Sequence, residues 1–349
     1  MVFLKKFLCL FLICASLIAG MCTKSYAFSG AILPPAKLNL GDTICILEPS
    51  CTDAHRMNIY KSRIDSVVAK LKQRGFNVVV YSDSFKPSTL GLGYSTERLR
   101  ADLFNKAIRD KNVKAIFSFW GGYGAMHLLD KLDYSAFRAN RKIFVGFSDE
   151  TAIELAIFEK SGIITFHGPM VGADINYNES KTFDCLFAML TNPKKSTKLF
   201  NIDDNSSFKS YKEGTCEGQV IGGNLSLIQC MIGTPYEPNY KNKILFFEEV
   251  KEHDYKIHRM LWHLKLTGKL KNVSGIIIGS LTPISGSESR LQHICFDVFK
   301  DLNIPIIYNV HAGHIRNPIT IPIGAKIKIQ NNELIVTEPV VCSFTNFRY

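Results

Sequence analysis

The most constraining stretch of this chain is Lys142 to Thr151, Lys-Ile-Phe-Val-Gly-Phe-Ser-Asp-Glu-Thr. After Lys142 the residues up to Phe147 are apolar and include a β-branched Ile and Val, which predicts a short buried strand. Residues 149–160 predict a helix with acids at its start and Lys160 at its end, the charge order that the helix dipole favours. Ser148 falls on the turn between them. Two readings of Ser148 stay open at this point. Serine is a favoured N-cap, so it caps the helix behind it. Alternatively its hydroxyl projects from the end of the sheet as a nucleophile, with the N–H groups and dipole of the helix start facing a developing oxyanion. The second glycine of the usual nucleophile elbow is missing here.

The same alternation runs through the first half. Strands are predicted at 43–47, 77–81, 113–119 and 163–166, and helices at 54–74, 95–111 and 125–132. In the helix 54–74, Ile64, Val67, Val68 and Leu71 share one face, and Gly75 ends it. Strands alternating with helices imply a doubly wound, mostly parallel sheet covered on both faces. Ligands gather at the carboxyl ends of such strands. Trp120-Gly121-Gly122-Tyr123-Gly124 lies at one of these ends and Ser148 at another. The glycines fit a plain tight turn, or a loop whose N–H groups meet a ligand without interference from Cβ atoms.

Residues 191–214 break the pattern. They are polar and rich in turn formers, and they read as a linker between an N-terminal domain at 38–190 and a smaller C-terminal domain at 215–345. The chain of 349 residues has room for two domains of the usual ~100–200 residues. In the second half, Gly222-Gly223-Asn224-Leu225 opens a helix at 224–232. The apolar strand 243–247 ends in Glu248-Glu249. That acid pair is either solvated or holds one carboxylate in a cleft to orient a base. His258 and His263 lie on a helix at 254–267, but their spacing of five does not suit paired metal ligands, which need four. Ile304 to Tyr308 leads into His311-Ala312-Gly313-His314. A hairpin at 326–330 and 333–337 turns around Asn331-Asn332.

Residues 1–27 read differently. Lys5 and Lys6 precede the apolar run Phe7–Ala19, and Ser25-Tyr26-Ala27 offers a small-x-small cleavage site. This is the pattern of a secretory signal peptide cleaved after Ala27, which implies export to the periplasm. A retained anchor is the alternative, although the run is short for a span of ~20 residues. Met21 before Cys22 argues against lipidation. With the leader removed, no membrane span is expected. The net charge of +11 falls to +8 once Lys5, Lys6 and Lys24 are gone. A basic surface of this kind favours anionic partners such as a cell envelope. No arginine-rich stripe or nucleic-acid motif is visible, so a nucleic-acid partner is not expected. Of the ten cysteines, seven lie beyond the leader. None forms a Cys-x-x-Cys pair, so no metal site or cofactor is expected, and buried thiols are the default.

Taken together, the motifs resemble the serine LD-carboxypeptidase family, which also includes the microcin-immunity peptidases. The matching pieces are Gly121-Gly122-Tyr123-Gly124, Gly146-Phe147-Ser148-Asp149, His167-Gly168-Pro169-Met170, Gly222-Gly223-Asn224-Leu225, Gly233-Thr234-Pro235-Tyr236, Leu245-Phe246-Phe247-Glu248-Glu249, Arg259-Met260-Leu261 and Gly313-His314. They occur in the family's order and span nearly all of the mature chain. The resemblance implies Ser148 as nucleophile, Glu248 rather than Glu249 as the catalytic acid, and His314 rather than His311 as the base. It implies the backbone N–H groups of Asp149 and Gly122 as oxyanion donors, and Gly121, Tyr123 and Gly124 as a substrate-binding loop. It further implies an α/β fold with an N-terminal doubly wound domain, a smaller mixed C-terminal domain and the active site in the crevice between them, as well as a homodimer. The expected reaction is release of terminal D-alanine from a murein stem tetrapeptide. The alternatives are an immunity peptidase acting on a peptidyl-nucleotide antibiotic and a non-catalytic muropeptide-binding protein. Two positions depart from the family pattern. Trp120 stands where an arginine usually precedes the glycine loop, and Glu249 stands where an aspartate usually follows the catalytic glutamate.

Overall fold

The computed structural model describes residues 30–50, 54–87, 96–174, 180–202, 208–284 and 286–343. The expected leader at 1–27 lies outside the described residues. The chain builds two sheets. In the first half, apolar runs form β1 (Thr43–Leu47), β2 (Asn77–Val80), β3 (Val113–Ser118), β4 (Ile143–Gly146) and β5 (Thr165–His167). They pair in parallel in the order β5-β4-β3-β1-β2. β4 is buried throughout, and β1 and β3 at every position but one. A parallel sheet covered on both faces needs such unbroken apolar strands. Helices Ala54–Gln73, Glu97–Arg109 and Thr151–Ser161 pack on it.

The expected helix at 125–132 is instead a 3₁₀ turn, Ala125–Leu128, followed by a separate helix, Tyr134–Asn140. Asp133 sets the break. Its side chain accepts a hydrogen bond from the Ala136 N–H at 2.9 Å and so caps a new helix start.

The second half forms β6 (Thr197–Leu199), β7 (Lys209–Lys212), β8 (Cys216–Asn224), β9 (Lys243–Glu252), β10 (Gly275–Pro283), β11 (Ile306–Tyr308), β12 (Ile321–Ile323), β13 (Lys326–Gln330) and β14 (Glu333–Val336). All but β12 belong to one mixed sheet, ordered β6-β14-β13-β8-β9-β10-β11-β7. Its centre, β8 to β11, is parallel, and the flanking pairs are antiparallel. The β13–β14 turn has Asn331 and Asn332 at φ 50 and 59, the left-handed pair of a two-residue hairpin turn.

Two observations revise the domain plan. The stretch 191–214, expected as a linker, supplies β6 and β7, the two outer strands of the second sheet. An edge strand is blunted by lysines, and Lys198, Lys209 and Lys212 do this here, so polar composition concealed two strands. In addition, β12 leaves the C-terminal half and pairs antiparallel with β5, placing Ile321 opposite His167 and Ile323 opposite Thr165. Pro322 is tolerated because β12 is an edge strand.

Helix Thr151–Ser161 joins the two halves. Every residue in it except Lys160 is buried. It contacts β4 and β5 on one side, and β8 and helix Leu225–Met231 on the other. A helix covered all round belongs to the core, so its position fixes the end of β4 relative to the second sheet.

Candidate active site

β4 ends at Gly146, and the 3₁₀ turn Ser148–Glu150 runs directly into helix Thr151–Ser161. Ser148 has φ 65. A non-glycine residue in this region is strained and persists only where the surroundings impose it. The Ser148 side chain does not cap the helix. Its Oγ lies 3.0 Å from His314 Nε2. Gly121 packs closely against this turn. A Cβ added there would lie 3.2 Å from Ser148 Cβ and 3.1 Å from Glu150 Oε2.

His314 comes from the loop after β11, and Glu248 from within β9, opposite Asn224 at the end of β8; the strand runs on to Glu252, past the expected end at 247. His314 Nδ1 is 2.7 Å from Glu248 Oε2, which also accepts the His314 backbone N–H at 3.3 Å. Gly313 lets these groups approach. Its φ is 102, and an added Cβ would sit 2.5 Å from Glu248 Cγ and Oε2. Gly313→Ala is therefore expected to displace the imidazole and lower kcat/KM by about 100-fold, the usual cost of ~1 Å of misplacement. Steady-state rates on a variant shown to be folded check this. An unchanged rate would mean that the close approach does not set the His314 position. His311 lies outside this arrangement, and its backbone N–H donates to Asn201 Oδ1 at 2.9 Å.

Glu248 is fully buried. Burial pushes its carboxyl up, but the adjacent His314, His167 and the Asn224 amide outweigh burial, and the group lies below the ordinary glutamate range. It is held as a carboxylate facing His314. Glu249 has another environment. Its carboxyl accepts from Asn224 Nδ2 at 3.0 Å, from Ser226 N–H at 2.9 Å, from Ser226 Oγ at 2.7 Å and from Val250 N–H at 2.9 Å. Burial and the charge of Glu248 push Glu249 up. The two acids thus divide, one toward His314 and one into the backbone at the start of helix Leu225–Met231.

Several contributing residues carried little signal in the sequence. Asn224 bridges the acid pair, with Nδ2 3.2 Å from Glu248 Oε1, and its N–H donates to Thr151 Oγ1 at 3.0 Å. His167 is buried behind Glu248. Its Nδ1 is 2.9 Å from Glu154 Oε2 and its Nε2 is 4.0 Å from Glu248 Oε1. The acids after Ser148, read as partners of a helix dipole, are buried in hydrogen-bonded groups instead. Only the positions of Asn224 and His167 within short glycine-containing motifs marked them in advance.

In the glycine loop, Gly122 and Gly124 have φ 155 and 101. Tyr123 is half exposed and meets the His127 ring edge-on at 5.4 Å. Asp149 Oδ2 accepts the Ala125 N–H at 2.8 Å, tying the end of this loop to the Ser148 turn. Arg63, from helix Ala54–Gln73, brings its guanidinium over the Trp120 ring, 5.5 Å from the centroid. A cation thus reaches the glycine loop from another element. Among the described residues, no group of three or more His, Cys, Asp or Glu is arranged to hold a metal ion.

A Ser–His–Glu chain assembled across two sheets invites comparison with known proteins. Residues 44–168 match the LD-carboxypeptidase N-terminal domain and residues 217–329 its C-terminal domain. A probable murein peptide carboxypeptidase of Bacillus subtilis is 31% identical over 86% of this chain and 92% of its own. The chain belongs to the LD-carboxypeptidase family. Among solved members, the microcin C7 self-immunity protein MccF of Escherichia coli superimposes with TM-score 0.79 at 27% identity, covering 89% of this chain and 100% of that one. The muramoyltetrapeptide carboxypeptidase of Oxalobacter formigenes gives TM-score 0.71 at 26% identity over 84% and 97%. Membership makes the protein a serine carboxypeptidase of mixed α/β, two-domain architecture.

Proposed function

We propose that this protein hydrolyses the LD peptide bond that releases terminal D-alanine from peptidoglycan stem tetrapeptides. One observation carries the reading: the unbroken chain from Ser148 Oγ through His314 to the buried Glu248. His314 takes the Ser148 proton, and Glu248 holds the imidazole in the tautomer that accepts it and stabilises the imidazolium. Ser148 attacks the carbonyl on the L-configured side of the bond. The N–H groups of Asp149, at the start of a helical turn, and of Gly122 receive the oxyanion. Losing one such donor typically costs ~100-fold or more in rate. His314 then protonates the departing D-amino acid, and water clears the acyl-enzyme. Gly121, Tyr123 and Gly124 line the substrate side. The leader pattern at 1–27 supports export to the periplasm, where the sacculus lies, and the family supports a homodimer.

Incubating purified protein with disaccharide tetrapeptide and finding the loss of one alanine by mass tests the reaction. A D-residue directs its carboxylate differently from an L-residue, and a mismatch leaves buried polar groups unpaired. The L-Ala tetrapeptide is therefore expected to be cut at least ~100-fold less well than the D-Ala form. A pentapeptide ending in D-Ala-D-Ala is expected to be a poor substrate. Comparable D-Ala and L-Ala rates would overturn the assignment. Turnover is also expected to survive a strong chelator. Loss that zinc reverses would contradict the serine mechanism.

The higher TM-score with MccF favours a second reading, cleavage of a peptidyl nucleotide. That substrate would be cytoplasmic, which the leader opposes. Preferential turnover of a peptidyl nucleotide over the tetrapeptide would select this reading.

A further inference from the structure

Beneath the Ser148 turn lies a buried acidic group that the proposed chemistry does not use. Ser50, just after β1, is wholly buried, as is Glu150, and Asp149 is nearly so. Ser50 Oγ lies 2.8 Å from Asp149 Oδ2 and 2.6 Å from Glu150 Oε1. A hydroxyl has one hydrogen to donate. With both carboxyls ionised, one of these contacts would set an oxygen lone pair against a negative charge inside the protein. The geometry therefore requires one more proton on the carboxyls.

The surroundings place it. Asp149 Oδ2 also accepts the Ala125 N–H, and Arg100 and His127 lie near enough to favour its charge. Glu150 faces Asp149 and Glu48, two like charges, and its Oε2 has no hydrogen-bond partner among the described residues. Ser118, near Gly146, and Cys230 of helix Leu225–Met231, near Asp149, bring no positive charge. Burial lifts both carboxyls, and the charges of Asp149 and Glu48 lift Glu150 further.

We propose that Glu150 is a neutral positioning residue. Its O–H donates to Ser50 Oγ, the Ser50 O–H donates to Asp149 Oδ2, and the Asp149 carboxylate pins the glycine loop at Ala125. Asp149 follows Ser148 directly, and Ala125 directly follows the glycine loop, so this one carboxylate holds both halves of the proposed oxyanion hole in register. The proton does not travel during turnover. Ionising Glu150 takes away the donor that Ser50 needs on that side. It also puts a second negative charge beside the Asp149 carboxylate, beneath the turn that carries the proposed donors. Rate is therefore retained while Glu150 is neutral and lost as rising pH ionises it.

The test rests in part on the proposed reaction, so it has two arms. In the first, kcat and KM are measured against pH for wild type, Glu150→Gln and Ser50→Ala. Gln keeps a neutral donor toward Ser50, so Glu150→Gln is expected to retain the neutral-pH rate and to lose the alkaline fall shown by wild type. Ser50→Ala is expected to lose about 10–100-fold in kcat with little change in KM, because the donors are misplaced and not the substrate. Superimposable alkaline limbs for wild type and Glu150→Gln would overturn the proposal. So would a folded Glu150→Gln that loses as much as Ser50→Ala. In the second arm, the infrared difference between wild type and Glu150→Gln at neutral pH is expected to contain the C=O band of a protonated carboxyl. Carboxylate bands in its place would overturn the proposal. This arm needs no turnover, so failure of the tetrapeptide assay leaves the state of Glu150 decidable.

Discussion

Ser148→Ala is expected to lower kcat/KM by on the order of 10⁴-fold or more while the protein stays folded, because removing a triad nucleophile leaves only binding and oxyanion stabilisation. The geometry separates this loss from unfolding. Ser148 makes no capping hydrogen bond, and its Oγ meets His314 Nε2 at 3.0 Å. Alanine adopts the φ of 65 at about the same cost as serine. Glycine adopts it without the Cβ penalty, so Ser148→Gly is expected to be equally inactive yet more stable by about 1 kcal/mol. Rates with tetrapeptide, paired with thermal melts of the three proteins, give both numbers. Wild-type turnover by Ser148→Ala would remove the nucleophile assignment. Melting of Ser148→Gly below wild type would show that the turn is not strained.

Glu248→Gln is expected to cost on the order of 10³–10⁴-fold in kcat, since an amide facing His314 Nδ1 selects the wrong tautomer and withdraws the charge that stabilises the imidazolium. Shape is nearly conserved, so the protein should still fold. Glu249→Gln should behave differently. Glu249 accepts hydrogen bonds from Ser226, Val250 and Asn224, all part of the scaffold. Its amide loses part of that network, for about 1–3 kcal/mol of stability, with a small effect on kcat. The contrast between neighbouring residues is informative because both are buried acids on one strand. Equal losses in kcat from both, with both proteins folded, would undo the choice of Glu248.

The parallel first sheet was legible because its strands are apolar runs and its helices show one-sided periodicity. Ser148 was legible because a buried strand meets a helix there. The residues alone left its role open, and the partners Glu248 and His314, 100 and 166 positions away, came only through the ordered motifs. Periodicity reports one element at a time and says nothing about which loops meet. The edge strands β6 and β7 were missed because lysine-rich edges look like linkers. Helix Thr151–Ser161 was found, but its dipole reading misjudged Asp149 and Glu150. A carboxylate at a helix start looks the same in sequence whether water or a buried serine receives it.

The crossing of β12 into the first sheet has a consequence for how the chain acquires its structure. Without residues 321–323, β5 ends the sheet as a bare edge beside His167. An unpaired edge of this kind invites association with other chains. The N-terminal half therefore cannot finish folding as it leaves a ribosome. It must wait for a segment more than 150 residues later, and loop closure of that length makes assembly slow. Truncations upstream of residue 321 are expected to aggregate, and the two halves are expected to melt in one transition. Joining the ends of the chain elsewhere, by circular permutation, would succeed only where β12 stays free to reach β5.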